Sequence, residues 1–442
     1  MRGQKLMCRP LRPLAVLLAI AAFGAPATHA FANTYNLLEA FCQAGGKCKN
    51  GSGPSAGLVM DAAGNLYGVT SGGGRNNSGE VYELVHNLDN SWTQVILHSF
   101  ATCTAGGCPE GCQPLGNLIL DSSGNLYGTT SKGGLNAFGA TAFELKPNLT
   151  HTKWTLSLLH TFCVYGSNCS DGSFSRAGLA YAGQSAGQAY DGVSPLFGTM
   201  YQGGVFGHGT VFELKYVPKS AKWREITVYT FCSLSNCADG DRPAGNVVVS
   251  GKSTLYGTTQ YGGQSSNGAV FALNPAVGGG WSLKVMYSFC QVVNCADGEQ
   301  PVAGLMIGSH GNLYGTTPAG GKGGSGTVFK LSSGGSESVL HSFCARRNCA
   351  DGAAPMASPI MDSSGNLFGT TQSGGANNHG TVFEIGTSMQ VLYSFCGQVN
   401  CPDGASPIAP LALDGSGDLF GTTNLGGNGP PGGAGVAFEL TP

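Results

Sequence analysis

Charge is scarce in this chain: 22 Lys and Arg stand against 24 Asp and Glu among 442 residues. A protein that tracks a phosphate backbone needs a basic surplus, so nucleic acid is not an expected partner. Long apolar runs are equally scarce. The one that exists, "LAVLLAIAAFGA" at residues 14–25, is twelve residues long, short of the roughly 20 that cross a bilayer. A Ser nucleophile elbow, a zinc-binding "HExxH" and a phosphate loop are also missing. The glycine clusters "SGGG" at Ser71 and "KGGSG" at Lys322 follow strand-like segments but open no helix, so they read as turns rather than nucleotide cradles.

What the chain does have begins with an address. Arg2, Lys5, Arg9 and Arg12 precede the apolar run, and "PATHAFA" follows it. That order of basic, apolar and small residues is a secretory signal peptide, assigned to residues 1–30. Its removal leaves 18 basic against 24 acidic residues, a net charge near −6. The expected location is secreted, extracellular or periplasmic, with no transmembrane segment after cleavage.

Glycine is abundant, at 73 residues, and cysteine reaches 16. Cys8 leaves with the signal. Fourteen of the rest fall into close pairs: Cys42 and Cys48, Cys103 and Cys108, Cys163 and Cys169, Cys232 and Cys237, Cys290 and Cys295, Cys344 and Cys349, Cys396 and Cys401. In an exported chain such pairs are expected to be disulfides rather than metal ligands. Cys112 is left over.

The pairs belong to a repeat. "LYGVT" at Leu66, "LYGTT" at Leu126, Leu255 and Leu313, "LFGTM" at Leu196, and "LFGTT" at Leu367 and Leu419 put seven glycines 60, 70, 59, 58, 54 and 52 residues apart. Around each stands one order of short segments, in one-letter form "PxAGLxxD", "GNLYGTT", "GTVFEL" and "VLYSF". Four strands per unit, divided by turns such as "DSSGN" at Asp121 and Asp362, is the pattern of a propeller blade. The ends complement one another: "YNLLEAF" at residues 35–41 resembles a fourth strand without its three predecessors, and "GVAFEL" at 435–440 a third strand without its fourth. The sequence therefore predicts an all-β, seven-bladed propeller filling residues 31–442, closed by residues 35–41 pairing with the strands of 409–440. Residues 181–194 form an insertion in the first hairpin of blade three.

These units resemble the GloVer (Gloeo/Verruco) tandem repeat of exported bacterial proteins, over residues 35–440. The resemblance implies a surface or secreted β-repeat protein and attaches no reaction to it.

Candidate chemistry is distributed around the ring. Glu83, Glu144, Glu213, Glu384 and Glu439 occupy the third strand, where Ala272 and Lys330 replace them; paired carboxylates suit a glycosidase, but five copies on five blades favour cross-strand pairing. His98, His160 and His341 alternate with Tyr229, Tyr287 and Tyr393 at one packing position, while His208 and His379 lie in loops without an evident partner. Two residues past the second Cys stand Asn50, Glu110, Asp171, Asp239, Asp297, Asp351 and Asp403, each followed by Gly. Asx before Gly builds turns. The functional alternative makes Asp171, Asp239, Asp297, Asp351 and Asp403 a ring of ligand-binding oxygens for sugars or Ca2+. The leading expectation is a binding module, for an extracellular glycan or a surface protein, without a cofactor unless it is calcium. An enzyme acting on extracellular polysaccharide in the central channel and a purely structural envelope protein are the alternatives.

Overall fold

A computed structural model describes residues 33–42, 48–103, 107–134, 139–164, 169–251, 253–427 and 433–442; the signal segment 1–30 lies outside them. Seven four-stranded antiparallel sheets follow one another along the chain. Blade one is Val59–Met60, Leu66–Thr70, Glu80–His86 and Trp92–Ser99; blade three is Ala180–Tyr181, Leu196–Met200, Thr210–Val217 and Lys222–Thr230. The blades of 119–161, 248–288, 306–342 and 360–394 repeat this order. Blade seven is discontinuous: Ala412–Leu413, Leu419–Thr423 and Val436–Thr441 are completed by Thr34–Ala40 from the other end of the chain. Tyr35 lies opposite Leu440 and Leu37 opposite Phe438, so the strand expected at 35–41 closes the ring.

The contact between blades explains the repeated residues. The Phe that ends each fourth strand packs on the third-strand aromatic of the next blade: Phe231 on Phe271 and Phe289 on Phe329 with centroids 5.1 Å apart, and Phe41 on Tyr82, also 5.1 Å, across the seam. Those third-strand rings lie across the glycine of "LYG". A Cβ on Gly257 would stand 2.5 Å from Phe271 Cζ, so only glycine admits the ring. The first Thr of "TT" ties the blades by a hydrogen bond. Thr258 Oγ1 donates to the Ala303 carbonyl at 2.6 Å, Thr316 to Ala357 at 2.9 Å, and Thr422 to Ala56 at 3.1 Å across the seam. The second Thr faces the Thr that opens the third strand, as in Thr317 with Thr327 at 2.9 Å.

In every blade the pairing of third and fourth strands slips by one residue, between Val211 and Phe212 in blade three and between Leu37 and Glu39 at the seam. The extra residue is always apolar: Leu97, Leu159, Val228, Met286, Leu340, Leu392 and Leu38. Such a bulge re-aims the side chains beyond it, and here it turns the His or Tyr position toward the Cys turn.

The cysteine pairs join as expected, each within its own turn. Cys112 is not remote from them. Its sulfur lies 3.2 Å from that of Cys108 and against that of Cys103, so three sulfurs share one link between blades one and two.

Candidate functional site

The Cys turns and the loops between second and third strands occupy one face of the ring. Gly263, in such a loop, donates its N–H to the Cys237 carbonyl at 3.0 Å, and Gly321 does the same to Cys295 at 2.8 Å; Asp241 bridges Tyr261, and Ser173 bridges Gln202. On this face stand the five candidate carboxylates. Asp239 and Asp351 expose none of their surface and Asp297 only 2%. Asp239 Oδ2 accepts from the Tyr229 hydroxyl at 2.8 Å and from Ser233 N–H at 2.9 Å, and Oδ1 accepts from Leu234 N–H at 3.2 Å. Asp297 accepts from Tyr287 and Gln291, Asp351 lies 3.0 Å from His341 Nε2, Asp171 is 3.1 Å from His160 Nε2, and Asp403 accepts from Tyr393 at 2.8 Å.

The acidic and His/Tyr positions, read separately in the sequence, are thus partners. Blade one pairs His98 with Glu110 at 3.3 Å. At the seam the roles invert: Glu39 stands on the strand and Asn50 in the turn, joined at 2.9 Å. His208, too, has a partner, Asp241 of the next link, at 2.9 Å. Among the described residues, no cluster of three groups within reach of one metal ion includes any of the five aspartates.

The third-strand glutamates sit opposite the "LYG" aromatic. Tyr67 Oη lies 3.0 Å from Glu83 Oε1 and 3.1 Å from Asp61 Oδ2, and Tyr127 repeats this with Glu144 and Asp121. Burial pushes the Glu83, Glu213 and Glu384 carboxyls above the usual carboxylate range.

The channel is narrow. A Cβ on Gly116 would stand 2.3 Å from Gly178 N, and one on Gly245 equally close to the Ala303 carbonyl carbon, so neighbouring backbones nearly touch around the axis. The remaining space is about 90 Å3, well below the roughly 300 Å3 of the smallest ordinary ligand pockets.

Larger clefts open on the opposite face, where the first hairpins lie, and both adjoin the blade-three insertion. Tyr190 of the insertion is 1% exposed; its ring packs edge-on to Tyr127 of blade two at 5.1 Å and against Tyr181 at 5.0 Å. Tyr181 donates to the Gln188 carbonyl at 2.6 Å, and Ser185 to Val249 of blade four at 3.2 Å. The insertion is therefore clamped to three blades and forms a fixed wall. On one side a cleft of about 680 Å3 is lined by Asp61, Tyr67, Asp121, His151, Tyr181 and Gln184. On the other, about 580 Å3 is lined by Glu144, Lys146, Asp191, Tyr216, Lys222 and Trp223. The sequence exposed the insertion itself, but not that hairpin and third-strand residues of blades one and two would face it.

Stapled links, Thr ties and a split last blade define a seven-bladed β-propeller built from a tandem repeat. The chain belongs to the Gloeobacter/Verrucomicrobia repeat family, which it matches over residues 29–194, 174–350 and 284–442. No curated protein matches it. Among solved structures it is similar to an ancestral GH74 enzyme, with 11% identity and a TM-score of 0.50 over 88% of this chain and 51% of that one; this chain spans about half the length of that enzyme. A glucose dehydrogenase is matched with 12% identity and a TM-score of 0.37 over 92% of this chain and 99% of that one. At 11% identity the likeness to the first of these speaks to fold alone.

Proposed function

We propose that this propeller is a secreted carbohydrate-binding module whose ligand occupies the clefts beside the blade-three insertion. The observation that carries this reading is the coincidence of the largest break in the repeat with the two roomy clefts. A wall clamped to three blades is preorganised, which lowers the cost of binding. Sugars present both apolar faces and hydroxyl groups. The second cleft offers an aromatic pair, Tyr216 and Trp223 at 5.5 Å, beside the charged ends of Lys146, Lys222, Glu144 and Asp191. The stapled turns fit an oxidising compartment, periplasmic or extracellular, and among the described residues no helix is long and apolar enough to cross a membrane. The channel lacks room for a sugar ring, so these clefts are also where an enzyme on this scaffold would find space for one.

The test is a screen of the purified protein against extracellular oligosaccharides, followed by titration of any ligand found. Tyr216→Ala and Glu144→Gln should each weaken binding about tenfold or more, roughly 1.4 kcal/mol, at unchanged melting temperature. Hydrolysis of the bound saccharide would replace this reading by an enzymatic one. Absence of binding to every saccharide, or affinities indifferent to both substitutions, would leave a structural role.

A further inference from the structure

The face that carries the Cys turns breaks the repeat as well, at the rim of the channel. Six blades place Ser55, Leu115, Ala244, Val302, Met356 and Ile408 at one equivalent rim position, and blade three places Arg176 there. A cation has replaced small or apolar residues. Its guanidinium carbon lies 3.9 Å from the centroid of the Tyr201 ring and 5.4 Å from that of Phe174. A second guanidinium, Arg242 of the next link, is 5.7 Å from the same Tyr201 ring and 5.6 Å from Tyr261.

The two arginines differ in their electrostatic surroundings. Arg242 Nε has Asp241 at 3.9 Å, and that carboxylate is also held by His208 at 2.9 Å. Arg176 is exposed, and among the described residues no carboxylate lies within ion-pair distance of it. A guanidinium resting on an aromatic face keeps its donor edge free and loses little freedom when an anion arrives. Tyr201 itself is 6% exposed and donates its hydroxyl to Gln260 at 2.9 Å, so the platform is fixed.

Phe174 and Arg242 occupy the same left-handed turn position of two successive links, with φ of 60° and 57°, where the other links place Gly53, Gln113, Gln300, Ala354 and Ser406. Glycine would be unstrained at both positions. The shared turn thus carries both side chains to Tyr201, Phe174 at 6.3 Å between ring centroids and Arg242 at 5.7 Å.

We infer that Arg176 and Arg242 form an anion-recognition site for an oxyanion group, carboxylate or sulfate ester, carried on a polysaccharide. The channel behind the rim, of about 90 Å3, admits such a group at most, so the sugar ring lies over the rim against Phe174. The site is on the opposite face from the insertion clefts and does not depend on them. A guanidinium offers two parallel N–H donors, which matches a planar or tetrahedral oxyanion edge-on.

The test is titration of the mature chain with oligogalacturonate, dextran sulfate and neutral dextran. One of the two anionic polymers should bind at least about tenfold more tightly than neutral dextran, and the preferred one identifies the group. Arg176→Gln should remove about tenfold of that affinity, and Arg176→Lys, which keeps the charge and loses the fork, an intermediate share. Because Arg176 is exposed, the melting temperatures should stay together. Equal binding of charged and neutral polymers, or anionic binding unchanged in Arg176→Gln and Arg242→Gln, would overturn the proposal.

Discussion

Tyr229 donates its phenol hydroxyl to Asp239 at 2.8 Å, joining the end of an outer strand to the disulfide turn that follows it. The carboxylate is buried and bonded to two backbone N–H groups of the same turn. Removing one partner of a buried charged pair strands the other. Asp239→Ala should therefore cost about 2–4 kcal/mol, and Tyr229→Phe about 1 kcal/mol. A double-mutant cycle followed by chemical denaturation should return a coupling of about 1 kcal/mol or more. Additive effects would show that strand and turn are held independently.

The two columns that meet in this pair were both legible as columns, and their meeting was not. Fourth strands read as alternating apolar and polar residues until "VLYSF", where two aliphatic residues adjoin. That break in period is the bulge at Leu97 and Leu392, and it reverses which face the next residue takes. The blade count and the paired cysteines came through because each is a local spacing repeated seven times, and the split blade because its two end fragments match strands of that repeat. Arg176 was missed for the opposite reason: it is a single departure within a column that has no strong consensus, and only the ring geometry brings it beside Tyr201 and Arg242. Cys112 was read as isolated because the columns place its equivalents, such as Asp241, outside the disulfide.

Closure of the ring rests on nine residues before Cys42. Tyr35 stacks on Tyr393 at 4.6 Å, and its hydroxyl donates to the Asp403 carbonyl at 2.8 Å. Tyr35→Ala should destabilise by about 3 kcal/mol. Deleting residues 33–41 exposes the edge of Val436–Thr441 along with the ring of Tyr82, and should lower the melting temperature by at least about 10 °C with aggregation at the open edge. A truncated protein that melts with the intact one would refute closure by this strand.

Glu80 gives the domain a pH dependence of defined sign. It replaces the Thr that opens most third strands and is 1% exposed; burial pushes its carboxyl up from 4.5 to about 7, opposed by the Ser99 hydroxyl. The folded state then binds the proton more tightly than the unfolded chain. Stability from this group is greatest below about pH 4.5 and declines as pH rises toward 7. Glu80→Gln should raise stability at pH 8 by about 2 kcal/mol and change little at pH 4.5. Glu337, also pushed up to about 7 by burial and then by Asp297, adds a slope of the same sign, so the difference between variant and wild type isolates Glu80. A gain that is the same at both pH values would refute the assignment.

The glycine of "LYGTT" supplies a sharper test of what the repeat is for. Gly257 carries an ordinary negative φ, so alanine is not excluded by the backbone. What excludes it is space: the added Cβ would lie 2.5 Å from Phe271 Cζ and 3.0 Å from Cε1. That ring is buried and pinned by Phe231 from the previous blade, so it cannot swing aside without opening the contact between blades. Gly257→Ala should cost about 2–3 kcal/mol as overpacking. Phe271→Leu alone leaves a gap and should cost about 1–3 kcal/mol. Combined, the shorter side chain makes room for the methyl group, and the double variant should be more stable than the sum of the two losses by about 1 kcal/mol or more. Thermal or denaturant unfolding of the four proteins measures this directly. If the losses add, the glycine serves the strand itself rather than the ring that crosses it.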